Sequence, residues 1–579
     1  MFFRLKKSGP RSYLQIVENR RDGGTVRQHV VATVGRADEL ALNGGVASLL
    51  ASGARFCEQA MVLSALGSPD AGPRVETRRL GAPLAFGRLW EDTGCRAVLD
   101  GLLAGRAFEF PVERAIFAAV LHRLMAPGSD RACERWLVDY AVPGAEGLAL
   151  HHFYRAMAWL GEELAAPEQA AATPFAPRTV KDLVEERLFE RRRDLFSALS
   201  VVFLDTTTLA FTGAGGATLG ARGHSKDRRP DLRQMVLGVV VDADGRPVCS
   251  EMWPGNTADV GVLVPVVDRL RARFAIGRVC VVADRGMISA ATIAALEARG
   301  LEYVLGARER TDKLVREVVL ADGRPFAPLL VERAKGETQL FVKEVAVAGR
   351  RHIVCRNEAE AAKDAADRAA IIEGLDRQLK RGDKAMIGNS AYRRYLRRTG
   401  AAGDTPGPAF EIDIGKIADE ARFDGVFVLR TNARITPLQA VLRYRDLLQV
   451  EELFRTAKAL LHTRPVYHAC DEAIRGHVFC SFLALVLRKE LQTRCASVGI
   501  KPEWGDVLRD LDRLQRAVID SGGKTWWVRT EATGAVPALM RALHVALPPR
   551  TQAVGPPPAA PQPVPPQRRG RPRRSATRA

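Results

Sequence analysis

Apolar and polar positions alternate with a period that changes several times along the chain, and each change marks a different kind of element. Ser12-Tyr-Leu-Gln-Ile-Val-Glu18 and Val26-Arg-Gln-His-Val-Val-Ala-Thr33 both alternate, with Asp22-Gly23-Gly24 between them. Two strand-type runs around a Gly-rich turn predict a β-hairpin. From about residue 84 to 190 the period becomes helical. Residues 112–124 form a clear helix that stops before Pro127-Gly128. Short apolar runs of buried-strand type follow at Val201-Val-Phe-Leu204 and Val279-Cys-Val-Val282. Between them, residues 235–241 and 248–252 flank the turn Asp242-Ala-Asp-Gly245, a second hairpin signal. Residues 259–274 predict a helix whose start or kink is marked by Pro265. Ser289 is placed to N-cap a helix ending before Gly300, and residues 301–305 predict another strand.

Residues 307–432 are less regular, mixing β-like pieces (340–347, 425–429) with a charged helical piece (359–380). A long helix then begins sharply: Thr436 is the N-cap, Pro437 takes the first helical position and Gln439 completes a capping box. Its pattern runs to about residue 461. The last stretch, 548–579, is rich in Pro and then Arg and is expected to be a disordered basic tail.

Composition narrows the partners. The 579 residues are 47% hydrophobic, enough for a full core. The 86 Lys and Arg against 67 Asp and Glu give a net charge of +19, which favours a polyanionic partner, nucleic acid being the commonest. The nine cysteines are scattered with no CxxC pair, which argues against a disulfide framework and a structural zinc site. The apolar run 478–487 is about half the length of a membrane span, and the N-terminus lacks a signal-peptide core. A soluble, cytoplasmic protein is expected.

The acids carry the candidate chemistry. Asp205 ends one buried run and Asp284 ends the other. A carboxylate there is costly without compensation, which a metal ion supplies; the bland alternative is a strand-ending turn residue. On the helix after Pro437, the spacing of Tyr444, Glu451, Arg455 and Lys458 puts them on one stripe, either as a site or as a solvated face with a Glu451–Arg455 pair.

Asp205-Thr-Thr-Thr, Val-Val-Ala-Asp284-Arg-Gly and the run from Tyr444 through Glu451 to Lys458 resemble the DDE transposases of bacterial insertion sequences, of the IS-four-like superfamily. Gly223-His-Ser-Lys-Asp-Arg-Arg-Pro-Asp-Leu232, the run 424–432 and Arg464-Pro-Val-Tyr-His468 resemble its IS-sixteen-thirty-four branch. The resemblance covers residues 13 to about 545. It implies an α/β fold: an RNase H-like catalytic core interrupted by a β-rich insertion, behind an N-terminal β-hairpin and a helical region. The expected division is 1–75 β-rich, 76–195 helical and DNA-binding, 196–306 and 435–547 the two parts of the core, 307–434 the insertion, and 548–579 the tail.

The implied activity is cleavage of DNA at the element's ends and strand transfer into target DNA, by two-metal phosphoryl transfer with Mg²⁺ or Mn²⁺. Asp205, Asp284 and Glu451 would hold the metals, with Glu452 the competing acid. Tyr444, Arg455, Lys458, His224, Lys226 and Arg228 would contact DNA, although the loop bearing the last three also reads as solvated. The family's Arg on this helix is Leu447 here, so Arg445 or Arg455 would stand in for it. Partners would be DNA with terminal inverted repeats, target DNA and a second copy of the chain, in the bacterial nucleoid. A cleavage-only or non-catalytic DNA-binding relative is the alternative.

Overall fold

The computed structural model describes residues 2–22, 25–42, 74–169, 176–192, 201–274, 279–333, 336–347, 349–380, 394–398, 410–460, 463–521 and 524–554. The Gly23-Gly24 turn, most of the expected N-terminal segment beyond residue 42, and residues 555–579 of the basic tail lie outside these. The chain divides into two compact units. One holds Met1–Thr77, Arg516–Glu531 and Pro548–Ala579; the other holds Arg78–Gln515 and Ala532–Leu547.

In the first unit β1 (Phe2–Ser8), β2 (Arg11–Asp22) and β3 (Thr25–Arg36) form an antiparallel sheet in that order. The strand β1 was not expected: Phe2-Phe-Arg-Leu-Lys-Lys is too short and too charged to announce itself. It pairs with β2 from Phe2↔Val17 to Ser8↔Arg11. β4 (Arg74–Arg79) follows.

The second unit is built on a nine-stranded mixed sheet. Its strands are β5 (Val201–Ala210), β6 (Gln234–Val241), β7 (Pro247–Pro254), β8 (Cys280–Ala283), β9 (Glu302–Gly306), β10 (Ala327–Arg333), β11 (Gly336–Val347), β12 (Arg350–Arg356) and, after the small ribbon of β13 (Leu396–Arg398) and β14 (Phe410–Ile412), β15 (Val426–Thr431). The order is β10-β11-β12-β15-β9-β8-β5-β6-β7. β8 runs parallel to both β5 and β9, and the other pairings are antiparallel.

Continuous apolar runs are what a sheet covered on both faces requires, and successive residues do go to opposite cores. Val202, Leu204, Val281 and Ala283 pack with the helices Leu263–Phe274 and Ala290–Ala298. Val201, Phe203, Cys280 and Val282 pack with residues of the helices Pro437–Asp446, Leu448–Arg455 and Asp471–Ser497. The period of two therefore turns Asp205 toward the second face. Asp471–Ser497 is buried along most of its length, against the helices Val112–Met125 and Leu150–Leu160. It carries several charges, and no helix among the described residues is long and apolar enough to cross a membrane.

Two expectations change in detail. The irregular stretch after residue 307 lengthens the main sheet: β15 pairs with β9 at Leu429↔Gly306, and β12, β11 and β10 follow outward. β9 would otherwise be an edge with unpaired backbone groups, which pairing removes. The single helix expected to residue 461 is three pieces: Pro437–Asp446, Leu448–Arg455 and a wider π-type turn, Thr456–Leu460. At the junction the Leu447 N–H donates to the Tyr444 carbonyl, a tightened i→i−3 turn around a buried Leu447 side chain. The expected N-caps are present, with Thr436 accepting from the Gln439 N–H and Ser289 from the Thr292 N–H.

β16 (Gln515–Ser521), β17 (Lys524–Arg529) and β18 (Thr551–Val554) complete a four-stranded sheet of order β18-β17-β16-β4. The segment expected to be a tail from residue 548 thus opens with an ordered strand, paired from Val528↔Thr551 to Thr525↔Val554.

Candidate active site

Asp205 lies within β5, one residue past Leu204, which registers with Ala283 of the parallel strand β8. Asp284 is the next residue after Ala283, so the two aspartates stand side by side at neighbouring strands. The helix Leu448–Arg455 packs across β5, with Val450 and Phe454 buried and Glu451 exposed.

Burial pushes the Asp205 carboxyl up to about 6 from an ordinary 3.8. Lys226 and the Thr206 N–H, which donates to Asp205 Oδ1 at 2.7 Å, oppose that rise. The charges of Asp284 and Glu451 add to it. Three acids from three elements therefore share one electrostatic environment. Asp284 and Glu451 also line one cavity of about 240 Å³, together with Tyr444, Arg445, Thr338 and Asn357.

The second aspartate is held from outside its strand. The Tyr444 hydroxyl donates to Asp284 Oδ1 at 2.9 Å, and burial raises that phenol, so it stays protonated as a donor. Gly306 makes room for it: a Cβ there would sit 2.5 Å from the Tyr444 hydroxyl oxygen. Arg285 pairs with buried Glu309 at 2.9 Å, and Arg308 donates to the Arg285 and Gly286 carbonyls.

The basic loop after β5 is partly turned inward. Lys226 Nζ donates to the Thr206 carbonyl at 2.7 Å and lies 3.2 Å from Asp259, which in turn accepts from the Thr206 hydroxyl. Lys458 and Arg464 both meet Asp227, at 2.9 and 2.7 Å. His224 and Arg228 are exposed, Arg228 with a left-handed φ of 58°. Arg455 is exposed, and Leu447 is largely buried and adds only apolar surface to the cavity wall, with no charge for a phosphate. Glu452 faces a different cavity, among Arg488 and Lys489, whereas Glu451 shares one with Asp284. Sequence reasoning missed Asp259 and Asp227. Asp227 lies inside the quoted loop motif, but nothing in the sequence pairs it with Lys458.

Among the described residues, the group of metal-type donors gathered within 4.8 Å is Asp130, His468 and His477, so the three acids above are more widely spread than that. The histidine cluster is a poor cation site, because the Arg123 guanidinium already sits 2.9 Å from His477 Nδ1 and 3.8 Å from Asp130. The oxygen donors of Asp205, Asp284 and Glu451 suit a hard divalent ion better, and the raised Asp205 carboxyl marks an unmet need for positive charge.

That raised carboxyl sets a pH dependence. Ionising Asp205 opposes folding, so its stabilising contribution is complete below pH 4 and is lost as pH rises through about 6. In chelator-treated protein the melting difference between the parent and Asp205→Asn is expected to open over that window, the variant being relatively more stable at pH 7. A difference that stays flat from pH 4 to 7 would show that Asp205 is not strained.

Residues 197–487, half of the chain, match the family model of the transposase DDE domain. The protein is thus a DDE-class transposase, an enzyme acting on DNA. Residues 3–68 match the N-terminal domain of IS1634 family transposases, and the chain belongs to that family. No curated protein matches the chain. Among solved structures, it is similar to a piggyBac transposase synaptic complex with hairpin DNA at 11% identity and a TM-score of 0.35, covering 75% of this chain and 79% of that one. It is also similar to a Mos1 transposase paired-end complex with left transposon end, at 15% identity and a TM-score of 0.14, covering 34% of this chain and 60% of that one.

Proposed function

We propose that the protein cuts DNA at the ends of an insertion sequence and joins the freed 3′ ends to target DNA, using Asp205, Asp284 and Glu451. The observation that carries this reading is Asp205, whose buried carboxyl is raised by burial and by the charges of the other two acids. The strand order β7-β6-β5-β8-β9, antiparallel through the first three and parallel after, supports an RNase H-like core formed by residues 196–306 and 435–547. Residues 307–434 are then its β-rich insertion.

Asp205, Asp284 and Glu451 would hold two divalent cations, Mg²⁺ or Mn²⁺, which would acidify the attacking oxygen and neutralise charge on the leaving one. Tyr444 orients Asp284, and the Thr206 N–H orients Asp205. Lys226, anchored by Thr206 and Asp259, keeps a positive charge near Asp205. Lys458, Arg455, Arg445, His224 and Arg228 grip phosphates, which fixes the strand's register without reading bases. Pairing two ends requires a second copy of the chain.

The test is a labelled end-containing duplex with the full chain and Mg²⁺. Metal-dependent nicking followed by strand-transfer products is the expected result. Nicking without transfer would leave a cleavage-only enzyme, and no metal-dependent nicking would end the reading.

Asp227 holds one of the phosphate-binding cations, Lys458, together with the neighbouring Arg464. Asp227→Asn, which releases Lys458 and Arg464, is expected to tighten DNA binding several-fold at low salt. The salt dependence should steepen by about one to two counterions. An unchanged salt slope would show that neither cation reaches a phosphate.

A further inference from the structure

A second cavity, of about 710 Å³, lies on the other side of the helix that carries Glu451. It is lined by Glu452, by Arg488, Lys489 and Gln492 of the helix Asp471–Ser497, and by Trp504. Its cations are poorly matched. Arg246 at the rim is paired with Asp244 at 2.7 Å, but Arg488 and Lys489 form no ion pair among the described residues. Burial lowers both; Glu452 opposes this at Arg488, and Asp242, Asp244 and Glu452 oppose it at Lys489, where Arg246 adds to it. Arg488 Nη1 is shielded from solvent and has no hydrogen-bond partner among the described residues. The Arg488 guanidinium lies 4.4 Å from the centre of the Trp504 ring, within cation–π range.

A half-buried guanidinium with only a distant carboxylate, such as Arg488, is unfavourable without an anion, because an N–H shielded from water without an acceptor loses its hydration for nothing. A planar guanidinium packed on an indole, with a lysine lining the same cavity, is an arrangement that matches a phosphate: the fork supplies paired donors and the lysine a point charge.

We propose that this cavity binds a nucleotide phosphate, held by Arg488 oriented on Trp504 and by Lys489. The phosphate comes either from a free nucleotide or from a DNA strand; the oxyanion chemistry is the same. The site is separate from the three acids and does not depend on their assignment. It nevertheless borders Glu452, the residue next to Glu451, so an occupant bears on the helix of the third acid.

The experiment uses the full chain, with AMP and a fluorescein-labelled twelve-residue oligo-dT as probes in equilibrium titrations. Arg488→Met and Lys489→Met are each expected to weaken binding of the true source at least tenfold. The melting temperature without probe should stay the same or rise, because an unmatched cation has been removed. A purely structural role predicts the reverse, a lower melting temperature with unchanged binding. Saturable AMP binding lost in both variants identifies a free nucleotide; no AMP binding but weakened oligo-dT binding identifies a strand. If Arg488→Met does not fold, Lys489→Met decides. Asp205→Asn should bind both probes like the parent, so a failure of the cleavage reading leaves this result standing. Less than a twofold change for both probes in the folded variants overturns the proposal.

Discussion

Asp205→Asn is expected to lose at least about 10³-fold in end cleavage while melting higher than the parent chain in the absence of metal. Both effects follow from one placement. The carboxylate sits where burial and two neighbouring acids oppose its ionisation, so at neutral pH the folded protein carries a charge it would be more stable without. Asparagine keeps the shape and removes that charge. Lys226 is not orphaned, because Asp259 still pairs with it at 3.2 Å. The same variant should no longer be stabilised by added Mg²⁺, since stabilisation by a ligand tracks its affinity for the folded state. Asp284→Asn and Glu451→Gln should also lose cleavage, with end binding largely kept. The measurements are nicking rates on a labelled end and melting curves with and without Mg²⁺. Full cutting activity in any one of the three variants would refute the assignment.

Arg273→Met should cost about 3–5 kcal/mol of stability, enough to threaten folding. Arg273 is almost wholly buried and reaches four acids: Glu185 and Glu186 at 2.7 Å, Asp182 at 3.1 Å and Glu251 at 3.2 Å. Lys181 and Arg269 share the cluster, lying 2.9 and 3.3 Å from Asp182. Burial alone would raise the Asp182 carboxyl; the three cations overcome this and hold it low. Methionine restores the volume but leaves the acids with too little positive charge. Urea unfolding measures the loss, and Glu185→Gln in the same chain should restore part of it. A single variant as stable as the parent would mean that the acids re-pair or take up protons at little cost.

Asp205 and Asp284 were legible because each ends a run too apolar for a surface strand, and the parallel pairing of β5 and β8 sets them side by side. The start of the helix bearing Glu451 was legible from Thr436, Pro437 and Gln439, whose capping box is formed. Its turn at Leu447 was not, because every residue from 444 to 454 suits a continuous helix and the change follows tertiary packing. Residues 180–192 read as part of the helical region, with nothing to say where their charges go; Lys181, Asp182 and Glu185 are buried with Arg269 and Arg273. Charge in a sequence gives sign but not partner, and the same limit hid the inward turns of Lys226 and Lys458. The joining of β10, β11 and β12 to the main sheet was hidden for another reason: an alternating strand looks the same whichever edge it adds to.

The helix Asp471–Ser497 fills the space between helices made much earlier in synthesis. A nascent chain carrying both aspartates has exposed the apolar faces that this helix will cover, yet cannot cover them until it leaves the ribosome. Contacts so distant along the chain close slowly. Interrupted translation short of this helix would therefore release a sticky, inert fragment, and chaperone demand for this enzyme should fall late, once residue 497 has emerged.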